Sequence, residues 1–305
     1  MRQCDEGVHG VSTVVATPPA DTTTEAVQRS RRGVPGLRGT GVLGHVCAAI
    51  ILFAVLIAVV GPVIAPHDPN FVQLQYAYVG PFEDHYLGFD GRGRDLLSRL
   101  LVGARTAVFG AIAVSMISIA IGTVLAIASA WRRGFFDTVT GGILDVLFAF
   151  PGLLIAVLAA AVFGPSLLTA VIALSIAYTP YIARVLRGAA LRERAQSYIS
   201  ALEVQGLSAI PICLRHLVPN IFGLVVAQGT ILFGYAMVDL AAISFIGLGV
   251  QSPQADWGVM VSEGRAGVLT GYPLESLSAG LCIVVVVVAV NLLGERFAER
   301  AQAGQ

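Results

Sequence analysis

TAVFGAIAVSMISIAIGTVLAIASAW, residues 106–131, runs for 26 residues without a charged side chain. A bilayer core about 30 Å thick asks for roughly 20 apolar residues in one helix, so this run is long enough to cross with residues to spare. The rest of the chain agrees with it. Of the 305 residues, 56% are hydrophobic and 12% charged, with a mean hydropathy of +0.79. A soluble chain carries about a quarter of its residues charged. The expected fold class is therefore all-α and integral to the membrane.

Working outward, Leu43–Ala65 makes a span before this one. Beyond it, residues 138–183 carry a single charge, Asp145, over 46 residues, too many for one span and suited to two. The break is expected at Phe163-Gly164-Pro165-Ser166, where Gly and Pro permit a turn and Ser can cap the next helix. Ile221–Val250, with Asp239 inside it, gives a fifth span, and Ser276–Gly294 a sixth.

Six spans place both termini on one side. Of the arginines near the spans, positions 29, 31, 32, 38, 132, 133, 184, 187, 192, 194, 215, 296 and 300 fall on that side, and 92, 94, 99, 105 and 265 on the other. The excess of positive charge assigns the termini to the cytoplasm. The expected layout is a basic, disordered cytoplasmic tail at 1–40 and a first span at 41–65. An external loop with a surface helix follows at 66–105. A core at 106–295 holds five spans and a cytoplasmic loop at 197–220, before a cytoplasmic tail at 296–305. The first apolar run begins too late for a cleaved signal peptide, so it is expected to be retained.

All 19 basic residues are arginine. Without a lysine the chain has no P-loop, whose lysine reaches nucleotide phosphates, and no lysine Schiff base. Cys4, Cys47, Cys213 and Cys282 show no metal or disulfide spacing, and His9, His45, His67, His85 and His216 show no i, i+4 pair. They read as isolated polar residues, and no metal or cofactor is expected.

LGFDGRGRDLLSRLLVGAR, residues 87–105, carries turn glycines at Gly88, Gly91 and Gly93, a capping Asp95, and leucines 96, 97, 100 and 101 beside Arg94, Arg99 and Arg105. With Asp90 it fits neither a phosphate-binding nor a calcium-binding loop, and reads as a turn followed by an amphipathic surface helix. In residues 251–273, Trp257 and Tyr272 suit the headgroup level, while Asp256, Glu263 and Arg265 are open to an external partner.

Asp145 and Asp239 are the intramembrane acids, each costing about 2.5–3.5 kcal/mol at a helix centre. They read either as an ion relay or as groups reaching water, a wet cavity or a nearby arginine such as Arg132 or Arg133.

SYISALEVQGLSAIPICLRHLVPN, residues 197–220, reads as helix, turn, helix: Tyr198–Gln205, a stop at Gly206, a cap at Ser208, Pro211 in the first turn, and an end at Pro219. The second helix places Ile210, Leu214 and Leu217 roughly on one side, with Arg215 and His216 elsewhere. Such a helix can lie on lipid or dock in a groove of another protein.

Here the chain resembles the integral-membrane permease subunits of binding-protein-dependent ABC importers, of the dipeptide/oligopeptide, type I group. That family carries E-A-A-x-x-x-G followed, ten residues after the glycine, by H-x-x-P-N. Gly206, His216, Pro219 and Asn220 match in register, with Ala201 matching the first Ala, while Ser200 and Leu202 replace the Glu and the second Ala. Residues 87–105 and SFIGLGVQSPQADWG, residues 244–258, are similar to two further family motifs, and the likeness extends over about residues 66–295.

The resemblance implies a loop, including Tyr198 and Arg215, that docks on a separate ATPase. It implies a second, related permease, two cytoplasmic ATPase subunits, an external solute-binding protein, and residence in the cell membrane as a multi-pass protein. No nucleic acid is expected. The implied function is half of a translocation pathway for dipeptides or oligopeptides, not an enzyme. The main rival is an ion-coupled secondary transporter using Asp145 and Asp239; a membrane scaffold without transport is a further one.

Overall fold

The computed structural model describes residues 41–303, with side-chain surroundings for 42–297. The expected tail at 1–40 lies outside the described residues.

Among the described residues eleven α-helices run in chain order: α1 Gly41–Ile64, α2 Leu96–Arg132, α3 Phe135–Phe148, α4 Gly152–Phe163, α5 Leu167–Arg194, α6 Ser197–Val204, α7 Ala209–Ile212, α8 Val218–Phe245, α9 Trp257–Glu263, α10 Arg265–Thr270 and α11 Leu274–Ala303. Among the described residues there is no strand beyond two isolated bridges. Five helices are long and apolar enough to cross a bilayer, and six spans result if the bent pair α3–α4 is one of them.

That pair is where the third run departs from expectation. The break at 163–166 is present, and Ser166 accepts the Thr169 N–H as the cap of α5. A second break lies at Pro151, which turns α4 by 83° from α3. Twelve residues of α4 rise only about 18 Å, so neither piece crosses alone. Proline supplies no N–H for the turn before it, and its ring excludes the helical carbonyl four residues back.

No separate surface helix exists at 87–105. Asp95 Oδ2 accepts the Ser98 N–H at 2.7 Å, and α2 then continues unbroken for 37 residues. Leu96 and Leu100 are buried in the core instead of lying on lipid. Likewise α11 continues through residues expected to form the tail from 296, to Ala303.

The core is built from α2, α5, α8, α9, α11 and the inner side of α1, with many alanines at the contacts. Lipid removes the hydrophobic drive between helices, so close approach over small residues does the work. A Cβ on Gly61 would overlap the Leu101 carbonyl where α1 crosses α2. One on Gly122 would sit 2.7 Å from Ile182 Cγ2 where α2 meets α5.

Trp257 belongs to this core rather than to a headgroup belt: it is 4% exposed and its Nε1 donates to the Leu100 carbonyl at 3.0 Å. Asp256 is buried too, capping α9 through the Gly258 and Val259 N–H groups and accepting from Thr106 Oγ1 at 2.9 Å. It is not open to a partner. Tyr272 remains exposed, stacked on Tyr78.

Candidate functional site

The segment 197–220 leaves α5 and returns into α8. Helix α6 ends as its glycine predicts: Gly206 takes φ +83°, its N–H reaches the Glu203 carbonyl, and the Leu207 N–H reaches Leu202. This doubly bonded glycine stop satisfies two carbonyls the helix would otherwise leave open. Ser208 stands at the next cap position without a side-chain bond.

Pro219 does not end a second helix. Ala209–Ile212 passes through a π turn at Cys213–Leu217 directly into α8, where Pro219 lies in the first turn. The wider turn accommodates a residue without an N–H. Within residues 197–220, α6 alone therefore stands as a separate short helix.

Burial also redistributes the apolar residues. Ile199, Ile212, Leu217 and Ile221 are buried and anchor the loop, while Val204, Ile210 and Leu214 stand 90%, 71% and 64% exposed. Of the expected trio Ile210, Leu214 and Leu217, only Leu217 faces inward.

The two halves of the 197–220 motif meet through a clasp. Asn220 Nδ2 donates to Glu193 Oε1 at 2.6 Å and to the Tyr198 hydroxyl at 2.7 Å, and Tyr198 itself donates to Glu193. The rings of Tyr198 and His216 lie 6.4 Å apart, tilted. Glu193, at the end of α5, had no motif to mark it. Nearby, Arg194 Nη1 donates to the Ala130 and Trp131 carbonyls, closing the last turn of α2. Ser200, Ala201, Gly206 and Arg215 are exposed, and Leu202 is half-buried.

The 87–105 motif is a buried ionic knot. Asp90 accepts the Arg92 and Arg94 N–H groups through Oδ1 and Arg94 Nε through Oδ2, at 2.6–2.9 Å. Glu263 Oε2 takes Arg94 Nη2 at 2.6 Å and Arg99 Nη2 at 3.1 Å. Arg99 Nη1 also reaches the Pro69 and Pro253 carbonyls. Gly88 and Gly93, at φ +73° and +71°, let the turn close, and a Cβ on Gly93 would enter the Gln73 backbone.

Arg94 and Arg99 are 1% and 0% exposed. Burial works against the Arg94 charge, but Asp90 and Glu263 outweigh it and hold its pKa above the ordinary value. Burial pushes the Glu263 carboxyl up, and the bond and charge of Arg94 outweigh that, leaving it below the usual range. Two arginines and two carboxylates thus compensate one another where none could stand alone. They pin the loop after α1 and the end of α9 to the head of α2.

The two aspartates are separate. Asp145 is exposed and pairs with Arg184, Nη2 to Oδ1 at 2.5 Å, rather than with Arg132 or Arg133. A parallel pair joins Asp137 to Arg187 and fastens α3 along α5. Asp239 Oδ2 accepts the Tyr178 hydroxyl at 2.6 Å in a cleft lined by Phe150, Tyr181 and Tyr235 at the α3–α4 break. The acids form no relay with each other.

His67 and His85 are not isolated. Their rings stack with centroids 4.0 Å apart beside Asp95, 18 positions of irregular chain having hidden the proximity.

Residues 104–303 match the family model described as binding-protein-dependent transport system inner membrane component. The chain belongs to this family. Relatives include a protein of Brucella suis biovar 1 named as a peptide transport system permease, 35% identical over 81% of this chain and 82% of its own. The glutathione transport system permease protein GsiD of Escherichia coli strain UTI89 is 35% identical, again over 81% and 82%. A chain of the inward-facing MetNI methionine ABC transporter shares the fold, with TM-score 0.54, 17% identity, and coverage of 67% of this permease and 96% of that chain. The protein is thus a multi-pass permease of an ABC importer, and the ion-coupled reading has no support.

Proposed function

We propose that this permease moves dipeptides or oligopeptides across the cell membrane and takes its power from an ATPase that docks on the 197–220 loop. The observation that carries the docking is the α6 loop itself. An eight-residue helix stands between two long apolar helices, its N-terminal Tyr198 clasped by Glu193 of α5 and Asn220 of α8, with Val204, Ile210 and Leu214 exposed on and after it. A helix tied at its N-terminal end to both α5 and α8 moves with them, which is what a mechanical handle requires. Its sequence leaves Ser200 where the family pattern has Glu, so the contact relies on shape and apolar surface more than on that charge.

ATP hydrolysis belongs to another chain, since no lysine is available for a P-loop. The assembly comprises this permease, a second related permease, two cytoplasmic ATPase subunits and an external solute-binding protein. The arginine bias supports a cytoplasmic side for the termini and the α6 loop. Peptide cargo is supported by the relatives at 35% identity, whose names refer to peptides and to glutathione.

The test is to recover the complex in mild detergent, identify the ligand carried by its binding protein, and measure uptake of that ligand in proteoliposomes. ATP-dependent uptake of a short peptide supports the proposal. Uptake that proceeds without ATP, or a complex with no ATPase, overturns the coupling; a non-peptide ligand overturns the cargo alone.

A further inference from the structure

His67, just beyond α1, His85, in the irregular loop, and Asp95, the cap of α2, converge on one cavity of about 200 Å³. We propose that these three side chains form a binding site for a divalent transition metal of the zinc class.

The donor atoms already face each other. His85 Nδ1 lies 2.7 Å from Asp95 Oδ1 and His67 Nδ1 4.0 Å from the same oxygen. One ligand atom from each residue falls within 4.8 Å of the others. A tetrahedral zinc with bonds of about 2.0–2.2 Å holds its donors about 3.4 Å apart, so each must shift by roughly 1 Å or less.

His67 Nδ1 is shut off from solvent and has no hydrogen-bond partner. A buried imidazole nitrogen left unpartnered beside the His85–Asp95 pair is the atom that a cation held by all three side chains would satisfy.

The supports of a metal site are present. Ser98 donates its N–H to Asp95 Oδ2 at 2.7 Å, so the ligating oxygen is Oδ1, whose hydrogen bond with His85 Nδ1 a metal would replace by displacing its proton, and the Ser98 Oγ accepts the His67 N–H at 3.0 Å. One serine thus positions two ligands, the outer-shell role that fixes ligand geometry. His85 is held by its backbone pairing with Phe82 and by the Phe89 ring. The cavity leaves room for a water as fourth ligand, with Asp68 at its wall. Two imidazoles and one carboxylate favour zinc or copper(II) over calcium or magnesium, which take oxygen donors. A bound ion would staple the loop between α1 and α2 to the head of α2.

The test uses the untagged full chain in nanodiscs, stripped with chelator and dialysed against Zn²⁺ or Co²⁺. One zinc per chain is expected, with the visible absorption of a four-coordinate site when cobalt replaces it. His67→Ala and His85→Ala should each weaken zinc binding at least about tenfold, while His216→Ala leaves it intact. His67→Ala should lower the melting temperature of the stripped protein only slightly, since its Nδ1 makes no hydrogen bond there and the ring gives up its stack on His85 alone; this variant decides the matter if His85→Ala fails to fold. No retained zinc, zinc undiminished in His67→Ala, or equal loss in His216→Ala would overturn the proposal.

Discussion

Asn220 Nδ2 stands 2.6 Å from Glu193 Oε1, joining residues 27 positions apart at the two ends of the α6 loop. Removing the amide with Asn220→Ala leaves the exposed carboxylate free to meet water, so the stability cost is modest, about 1 kcal/mol. The mechanical cost is larger. Uptake per ATP hydrolysed is expected to fall several-fold, because α6 can then move without α8. Tyr198→Phe keeps the Asn220–Glu193 bond and should lose less, and the ratio of uptake to hydrolysis in proteoliposomes measures both.

The ionic knot predicts a steep stability effect away from the loop. Glu263→Gln leaves Arg94 and Arg99 with Asp90 as their compensating carboxylate, and breaking a buried pair in this way costs about 3 kcal/mol. Thermal unfolding in nanodiscs should show it. The pH dependence has a definite sign. Glu263 is held below its ordinary value of 4.5, so the unfolded chain binds its proton more readily and the folded state loses stability as protons bind. Its contribution is complete above about pH 4.5 and fades as the pH falls through the lower folded value. In Glu263→Gln that part of the acid limb should be missing.

Helix contacts without side chains set a third expectation. Gly61→Ala would push α1 away from the Leu101 carbonyl, and Gly122→Ala would strike Ile182. Overpacking of this kind costs about 1–3 kcal/mol. Gly141→Ala, which meets nothing nearby, is the neutral control in the same unfolding assay.

Asp239→Asn separates an ATP-driven permease from an ion-coupled one. Asn retains an oxygen for the Tyr178 hydroxyl, so the local packing at the α3–α4 break should hold. ATP-driven uptake is expected to persist in the variant and to resist uncouplers. Loss of uptake in step with loss of proton sensitivity would restore the ion-coupled reading.

Where the sequence was legible, its chemistry was local. Uncharged runs marked the spans, Ser166 and Asp95 marked caps, and Gly206 marked the end of α6, because each acts through its own backbone. Pro151 was passed over because a long run with a single charge reads as continuous although proline breaks it. Pairings across long separations were not readable at all: Arg99 with Glu263, Glu193 with Asn220, and His67 with His85 exist only once the helices pack. Trp257 and Asp256 look like interfacial residues by type, and their burial comes from α9 folding back onto α2.

Docking on α6 is tested most directly by placing a photo-crosslinking residue at Val204, 90% exposed on the short helix, in the intact complex. The proposal predicts an adduct with an ATPase subunit whose yield changes between nucleotide-free and ATP-bound states, with none from the same probe at Leu281 on the apolar outer surface of α11. An adduct with lipid alone, or an ATPase adduct from Leu281 and not from Val204, would contradict it.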